Sequence, residues 1–169
     1  LFYSNCPKKL YIIVDSWTGF LNTERIKALA PGVDVTIKNI PPGCTSICQP
    51  LDRFYFRQKK QFYRRLSAFG SIQVYDFQPG KRDNILKMLS ITHRQFGAPQ
   101  FVKFRKYCWK ASGILKEHPG PFLTPTQVCF PKDMVMLCNK ACNERGFFEC
   151  AWCGYRLCFN HLVTNLHQC

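Results

Sequence analysis

Leu10-Tyr-Ile-Ile-Val14, closed by Asp15, is the stretch on which the fold turns. Five consecutive apolar residues, with Ile12, Ile13 and Val14 β-branched, are too few for a buried helix and suit a strand covered on both faces, of the parallel kind. Working outward, residues 23–29 suit a short helix with Asn22 or Thr23 as its cap and Pro31-Gly32 as its stop. Val33, Val35 and Ile37 then alternate with Asp34, Thr36 and Lys38, the period of a half-buried strand. Strand, helix, strand in this order predicts an α/β fold.

Pro41-Pro42-Gly43 breaks the second strand, and a long helix is expected over 50–69, where a proline in the first turn costs no hydrogen bond. At helical spacing Leu51, Tyr55, Phe62, Leu66 and Phe69 gather on one side, and Arg53, Arg57, Lys60 and Arg64 on the other. Two more helices are expected at 83–95 and 99–116, the second carrying Lys103, Arg105, Lys106 and Lys110. Prolines 119, 121, 125 and 131 deny both helix and central strand, so 118–134 reads as a linker between a first domain, 1–117, and a tail domain, 135–169.

The charge follows this division. Lys and Arg total 24 against 10 Asp and Glu among 169 residues, a net charge of +14, and residues 1–128 hold 20 of the basic and 7 of the acidic groups. So strong a basic excess favours a polyanionic partner, nucleic acid first, and a DNA partner implies a nuclear location. A mean hydropathy of −0.19 with 46% hydrophobic residues argues for a folded globular chain. The longest apolar run, 10–14, is far too short to cross a bilayer, so no membrane partner is expected.

Acids are scarce in the first domain, so their placement carries information. Asp15 falls where a strand emerges, the place at which open α/β sheets put their chemistry. Asp52 falls in the first turn of the basic helix, where free N–H groups favour an ionised carboxylate. Both are hard oxygen ligands suited to Mg²⁺ or Mn²⁺, and two such ions can activate a nucleophile and stabilise a leaving oxygen at a phosphodiester. The plainer alternative is that Asp15 ends a strand and Asp52 caps a helix.

Ile40-Pro-Pro-Gly-Cys-Thr-Ser-Ile-Cys-Gln-Pro-Leu-Asp52 resembles the segment before the third catalytic acid of transposases of the pogo, Tigger and mariner group. Two prolines, a Thr-Ser pair and Gln-Pro-x-Asp recur there in that order. The strand ending at Asp15, 37 positions before Asp52, is similar to the one that carries their second acid. The helix with Lys59, Lys60, Phe62 and Tyr63, and the segment Cys108-Trp-Lys-Ala-Ser-Gly-Ile114, also look like the family's. The resemblance covers roughly residues 8–116 and implies a partial RNase H-like fold with C-terminal helices. It also implies a parent chemistry of metal-dependent DNA cleavage and strand transfer, with Asp15 and Asp52 as the second and third acids of a DDE triad. From the charge of the helix itself, Arg53, Arg57, Lys59, Lys60, Arg64 and Arg65 are expected on DNA. Ser16 and Phe20 stand where the family usually has Asn and His. The strand with the first acid is expected outside this sequence, since 14 residues precede Asp15, and the chain by itself is not expected to cut DNA. A second transposase-like chain is therefore a candidate partner.

The tail carries Cys138, Cys142, Cys150, Cys153, Cys158, His161, His167 and Cys169, eight candidate ligands in four close pairs. Thiolate and imidazole are the preferred donors of structural zinc, four to an ion, so the set suits two Zn²⁺ ions. Pairs in this order can be joined consecutively or alternately. The alternate scheme puts Cys138, Cys142, Cys158 and His161 on one ion and Cys150, Cys153, His167 and Cys169 on the other. The central Cys150-x2-Cys153-x4-Cys158-x2-His161 is similar to the cross-brace zinc finger of piggyBac transposases and, more distantly, to RING and PHD fingers. A disulfide framework would leave the paired histidines accidental. Cys6, Cys44, Cys48, Cys108 and Cys129 read as small apolar residues, and His93 and His118 as surface residues.

Three functions are in competition. A transposase-derived DNA-binding protein accounts for the segment ending at Asp52 and for the charge asymmetry. A zinc-finger protein-interaction module of the RING or PHD kind on an α/β scaffold requires an apolar partner groove, for which Trp152 and Leu157 are the candidates. The third reading takes the basic helix face as merely solvated.

Overall fold

The computed structural model describes residues 8–20, 22–28, 31–132, 137–140 and 142–169. Cys6, and Leu29 at the end of the first expected helix, lie outside them. Strands β1 (Lys9–Val14) and β2 (Asp34–Asn39) pair in parallel, in register from Lys9 opposite Asp34 to Val14 opposite Asn39. Helix α1 (Thr23–Ala28) lies between them in the chain, and Asn22 caps it by accepting the Arg25 N–H at 3.0 Å.

β1 is parallel as expected but not buried as expected. Among the described residues β2 is its one strand neighbour, and although Val14 is buried, Tyr11 is 68% exposed. A parallel strand is covered only when neighbours flank it and helices lie over both faces.

Pro41 to Cys44 form a type II turn. The Cys44 N–H donates to the Pro41 carbonyl at 3.1 Å and Gly43 takes the positive φ, 78°, that the third position requires. Helix α2 (Thr45–Cys48) follows, and Gln49 is extended, as a residue before proline tends to be. The helix expected over 50–69 comes in two pieces, a wide π-type turn at Leu51–Tyr55 and helix α3 (Phe56–Gln73). The extra residue of a π turn rotates what precedes it. Leu51, expected on the packed face, is accordingly 43% exposed, whereas Phe62 and Leu66 are buried.

Helix α4 (Arg82–Phe96) leads through a 3-10 turn at Pro99–Phe101 into helix α5 (Val102–Ala111). α5 stops short of residue 116 because Gly113 adopts φ 78° and the Ile114 N–H turns back to the Trp109 carbonyl at 3.1 Å. The expected linker also holds structure. Helix α6 (Pro125–Cys129) starts with proline at its first position and a capping box, in which Thr124 and Gln127 each bond the other's backbone N–H. In the tail, β3 (Phe148–Glu149) and β4 (Arg156–Leu157) form an antiparallel pair, followed by a π-type turn at Asn160–Thr164.

Helices α3 to α6 and the tail share one core. Its centre is Phe62, whose ring meets Phe96 of α4, Phe130 after α6 and Phe148 of β3 edge-on, at 5.4, 5.0 and 5.9 Å between centroids. Edge-to-face packing of this kind adds to the stabilisation from the area it buries. No helix among the described residues is long and apolar enough to cross a membrane.

Candidate metal centre and nucleic-acid interface

The first ligand group is built on the turn after Cys138. The Cys138 N–H donates to the Glu144 carbonyl, 2.9 Å, and the Asn139 side chain accepts from the Arg156 N–H, 2.6 Å, which ties this turn to β4. Cys158 follows β4, and His161 lies one turn further on. Cys138 Sγ is 3.5 Å and Cys158 Sγ 3.3 Å from His161 Nδ1, and the Cys142 and Cys158 sulfurs are 3.8 Å apart.

The second group rests on the tight turn Cys150-Ala-Trp-Cys153-Gly154. There the Gly154 N–H closes on the Cys150 carbonyl at 2.8 Å, with a φ of 71° that suits glycine. Cys153 Sγ is 3.4 Å from His167 Nε2, and the Cys150 and Cys169 sulfurs are 3.6 Å apart. Within each group all four ligand atoms lie within 4.8 Å of one another.

These distances are those of the edges of a tetrahedron around a metal. Sulfur at about 2.3 Å and nitrogen at about 2.0 Å from zinc stand about 3.8 Å (S to S) and about 3.5 Å (S to N) apart. A disulfide would need about 2.05 Å, and the cysteines of both groups are free thiols. The groups combine the first pair with the third and the second with the fourth, the alternate order, with the β3–β4 hairpin running between them. Each cluster can hold a zinc ion.

The electrostatics of both clusters suits a cation. Burial raises the Cys138 thiol, but hydrogen bonds from the Cys158 and Lys140 backbone and from the Cys142 and Cys158 thiols outweigh it and hold the group below its ordinary value. Cys150 is lowered in the same way: burial opposes, and the Cys153 backbone and Gln95 side chain prevail. Their partners move up. Cys158 is pushed to about 11 by burial and then by Cys142 and Cys138, and Cys169 to about 11 by burial and then by Cys150. Within each cluster one thiol is thus eased toward its thiolate while a neighbour is held back from it, an opposition that a divalent cation would remove.

Elsewhere the expected residues are dispersed. Asp15 follows β1, half-buried, and its Oδ1 accepts the Trp17 N–H at 3.1 Å. Asp52 is exposed in the π-type turn. A cavity of about 330 Å³, lined by Ile13, Pro50, Leu51 and Trp109 among others, lies between the end of β1 and that turn. Among the described residues neither acid belongs to a group of three or more candidate metal ligands. Arg57, Lys60 and Arg64 lie exposed at helical spacing on α3, Arg53 is exposed in the preceding turn, and Lys59 is half-buried. Arg65 lies over the Phe130 ring, 5.0 Å from its centroid. Of the other cysteines, Cys108 and Cys129 are buried and Cys44 and Cys48 half-buried; His93 and His118 are exposed. The two residues named for an apolar partner groove differ: Trp152 is 48% exposed and Leu157 is not. Leu157 is fully buried, and the Trp152 ring N–H donates to the Arg94 carbonyl at 2.9 Å. Arg94 and Gln95 of α4 both reach ligand residues of the second cluster, and no sequence signal marks them.

A tail of two Cys3His clusters, each able to hold a zinc ion, packed on a helical core defines the class of this region. Residues 109–169, from within α5 to the last ligand, match the family model of the Tc5 transposase C-terminal domain. No curated protein and no solved structure matches the chain. The match supports a transposase-derived protein.

Proposed function

We propose that the chain is the C-terminal part of a DDE-type DNA transposase of the pogo, Tigger and mariner kind, or a protein derived from one, that binds DNA in the nucleus. Two structural zinc ions hold its tail in a cross-brace similar to that of piggyBac transposases. The observation that carries this reading is the orientation of α3. Its Phe62 and Leu66 face packs into the core shared with the tail that matches a transposase, while Arg57, Lys60 and Arg64 stand free in solvent. A basic helix face held by a rigid core is suited to a phosphate backbone.

In this reading β1, α1 and β2 are part of an RNase H-like fold, and Asp15 and Asp52 are two acids of its metal site for Mg²⁺ or Mn²⁺. In the same reading a second transposase-like chain, or a further strand, pairs with the edge of β1 that β2 leaves open among the described residues. The test is fluorescence anisotropy of labelled duplex DNA with the zinc-loaded chain. Binding that weakens steeply with salt is expected; no binding at low salt would overturn the proposal.

A further inference from the structure

We infer that Gln95 is a positioning residue of the second metal site, the outer-shell donor that aims Cys150 at the ion and joins that site to the helical core. The inference rests on the reading of the tail as a zinc domain. Gln95 sits in the last turn of α4 and is 2% exposed. Its Nε2 donates to Cys150 Sγ at 3.3 Å, and its Oε1 accepts the Ala151 N–H at 2.7 Å and the Cys129 thiol at 3.8 Å. A carboxamide offers a donor and an acceptor at fixed separation, so one orientation serves a sulfur and an N–H together, and a carboxylate or an aliphatic chain of like size cannot.

The surroundings hold it there. Gln100 Nε2 donates to the Ala151 carbonyl at 2.6 Å, so both polar groups of residue 151 are taken by glutamines from outside the tail. Arg94, one residue before Gln95, donates to the Cys169 carbonyl and approaches Cys169 Sγ at 3.5 Å. The end of α4 thus supplies hydrogen bonds to two of the four ligand residues of the second cluster. The backbone around Cys138, by contrast, is tied within the tail, to Glu144 and Arg156. A buried amide with three partners, one of them a metal-ligand sulfur, is more than a core filler: it fixes the direction of a thiolate lone pair.

The test loads the full chain with cadmium and follows the cadmium NMR signals, with Cys153→Ser identifying the resonance of the second site. In Gln95→Leu that resonance should shift, and chelator competition should show the affinity of the second site down about ten- to a hundred-fold with the first changed less than about twofold. Gln95→Glu, which keeps the size and the acceptor but lacks the donor, should shift the same resonance and serves if Gln95→Leu does not fold. Ile91→Val, a buried change one turn earlier on α4, should lower the melting temperature and leave both resonances in place. Unchanged resonances and affinities in the Gln95 variants, or equal weakening of both sites, would overturn the inference alone. Failure of the parent chain to take up two ions would overturn the metal reading beneath it.

Discussion

Gly70 on α3 faces Phe159, the residue after the ligand Cys158, so closely that a β-carbon at position 70 would stand 2.6 Å from the ring's Cζ and equally close to Phe77. A side chain here would have to push helix and rings apart, and the site lies beside the first Cys/His cluster. Gly70→Ala would gain up to about 1 kcal/mol of helix propensity at an exposed site. Here overpacking opposes it, at about 1–3 kcal/mol. The variant should therefore unfold at lower urea concentration while the folded state keeps its full helical signal; a rise in midpoint would show that the tail can shift without cost.

Metal removal should be felt beyond the tail. Phe148, Leu157, Phe159, Leu162 and Val163 belong to the same core as Phe62 and Leu66, so the free energy of metal binding is shared with α3 to α6. A chelator that strips two zinc ions per chain should lower the melting temperature of the helical signal itself. Cys153→Ser should reduce the stoichiometry from two ions to one, while Cys44→Ser, at a half-buried position outside both clusters, should leave it at two. A tail that unfolds while the helices melt unchanged would mean two independent domains.

That shared core is the least legible feature of the sequence. The β1 and β2 strands follow from local patterning and the ligand groups from the spacing of Cys and His, because both are short-range signals. A boundary at 118–134 rests on prolines, yet a proline at the first position of a helix lacks nothing, and Pro125 begins α6. The π-type turn at Leu51–Tyr55 changes the helical phase without any residue that announces it. Gln95 reads as an ordinary polar position, since its role depends on Cys129, Cys150 and Ala151 meeting it from 34 to 56 residues away.

DNA affinity should depend on salt through α3. Changing Arg57, Lys60 and Arg64 together to Gln should lower the slope of log K against log salt by about three, one for each phosphate no longer neutralised. Arg65→Gln is the informative contrast. Its guanidinium is engaged over Phe130 at 5.0 Å, so the expected effect is about 0.5–1 kcal/mol of stability with a smaller change of slope. An unchanged slope in the triple variant would move the DNA surface elsewhere.

Alkaline pH should weaken the fold through a thiol that binds no metal. Burial pushes Cys108 from its ordinary value of 9.0 to about 11. A group raised in the folded state contributes stability that is complete below its unfolded value and is lost as pH rises through the folded one. The chain should thus lose stability between pH 9 and about 11, and Cys108→Ala should flatten that decline in the zinc-loaded protein. At the metal sites the sign is reversed: binding expels protons from thiols, so zinc affinity should fall as pH falls. Equal alkaline slopes for the parent and Cys108→Ala would remove this thiol from the account.

DNA cutting is not expected of this chain alone. Two-metal phosphoryl transfer needs carboxylates that grip both ions on either side of the scissile phosphate. Among the described residues neither Asp15 nor Asp52 belongs to a group of three or more candidate ligands. Asp15 also has one oxygen engaged by the Trp17 N–H at 3.1 Å, an arrangement that closes a local turn. Two acids can hold a divalent ion weakly, which is short of what catalysis requires. The chain alone should therefore neither nick plasmid DNA nor join strands with Mg²⁺ or Mn²⁺, and Asp52→Ala should bind DNA as the parent does, since removing an exposed acid takes away no cation. Nicking that Asp52→Ala abolishes would overturn this expectation and require another acid or a partner subunit to complete the site.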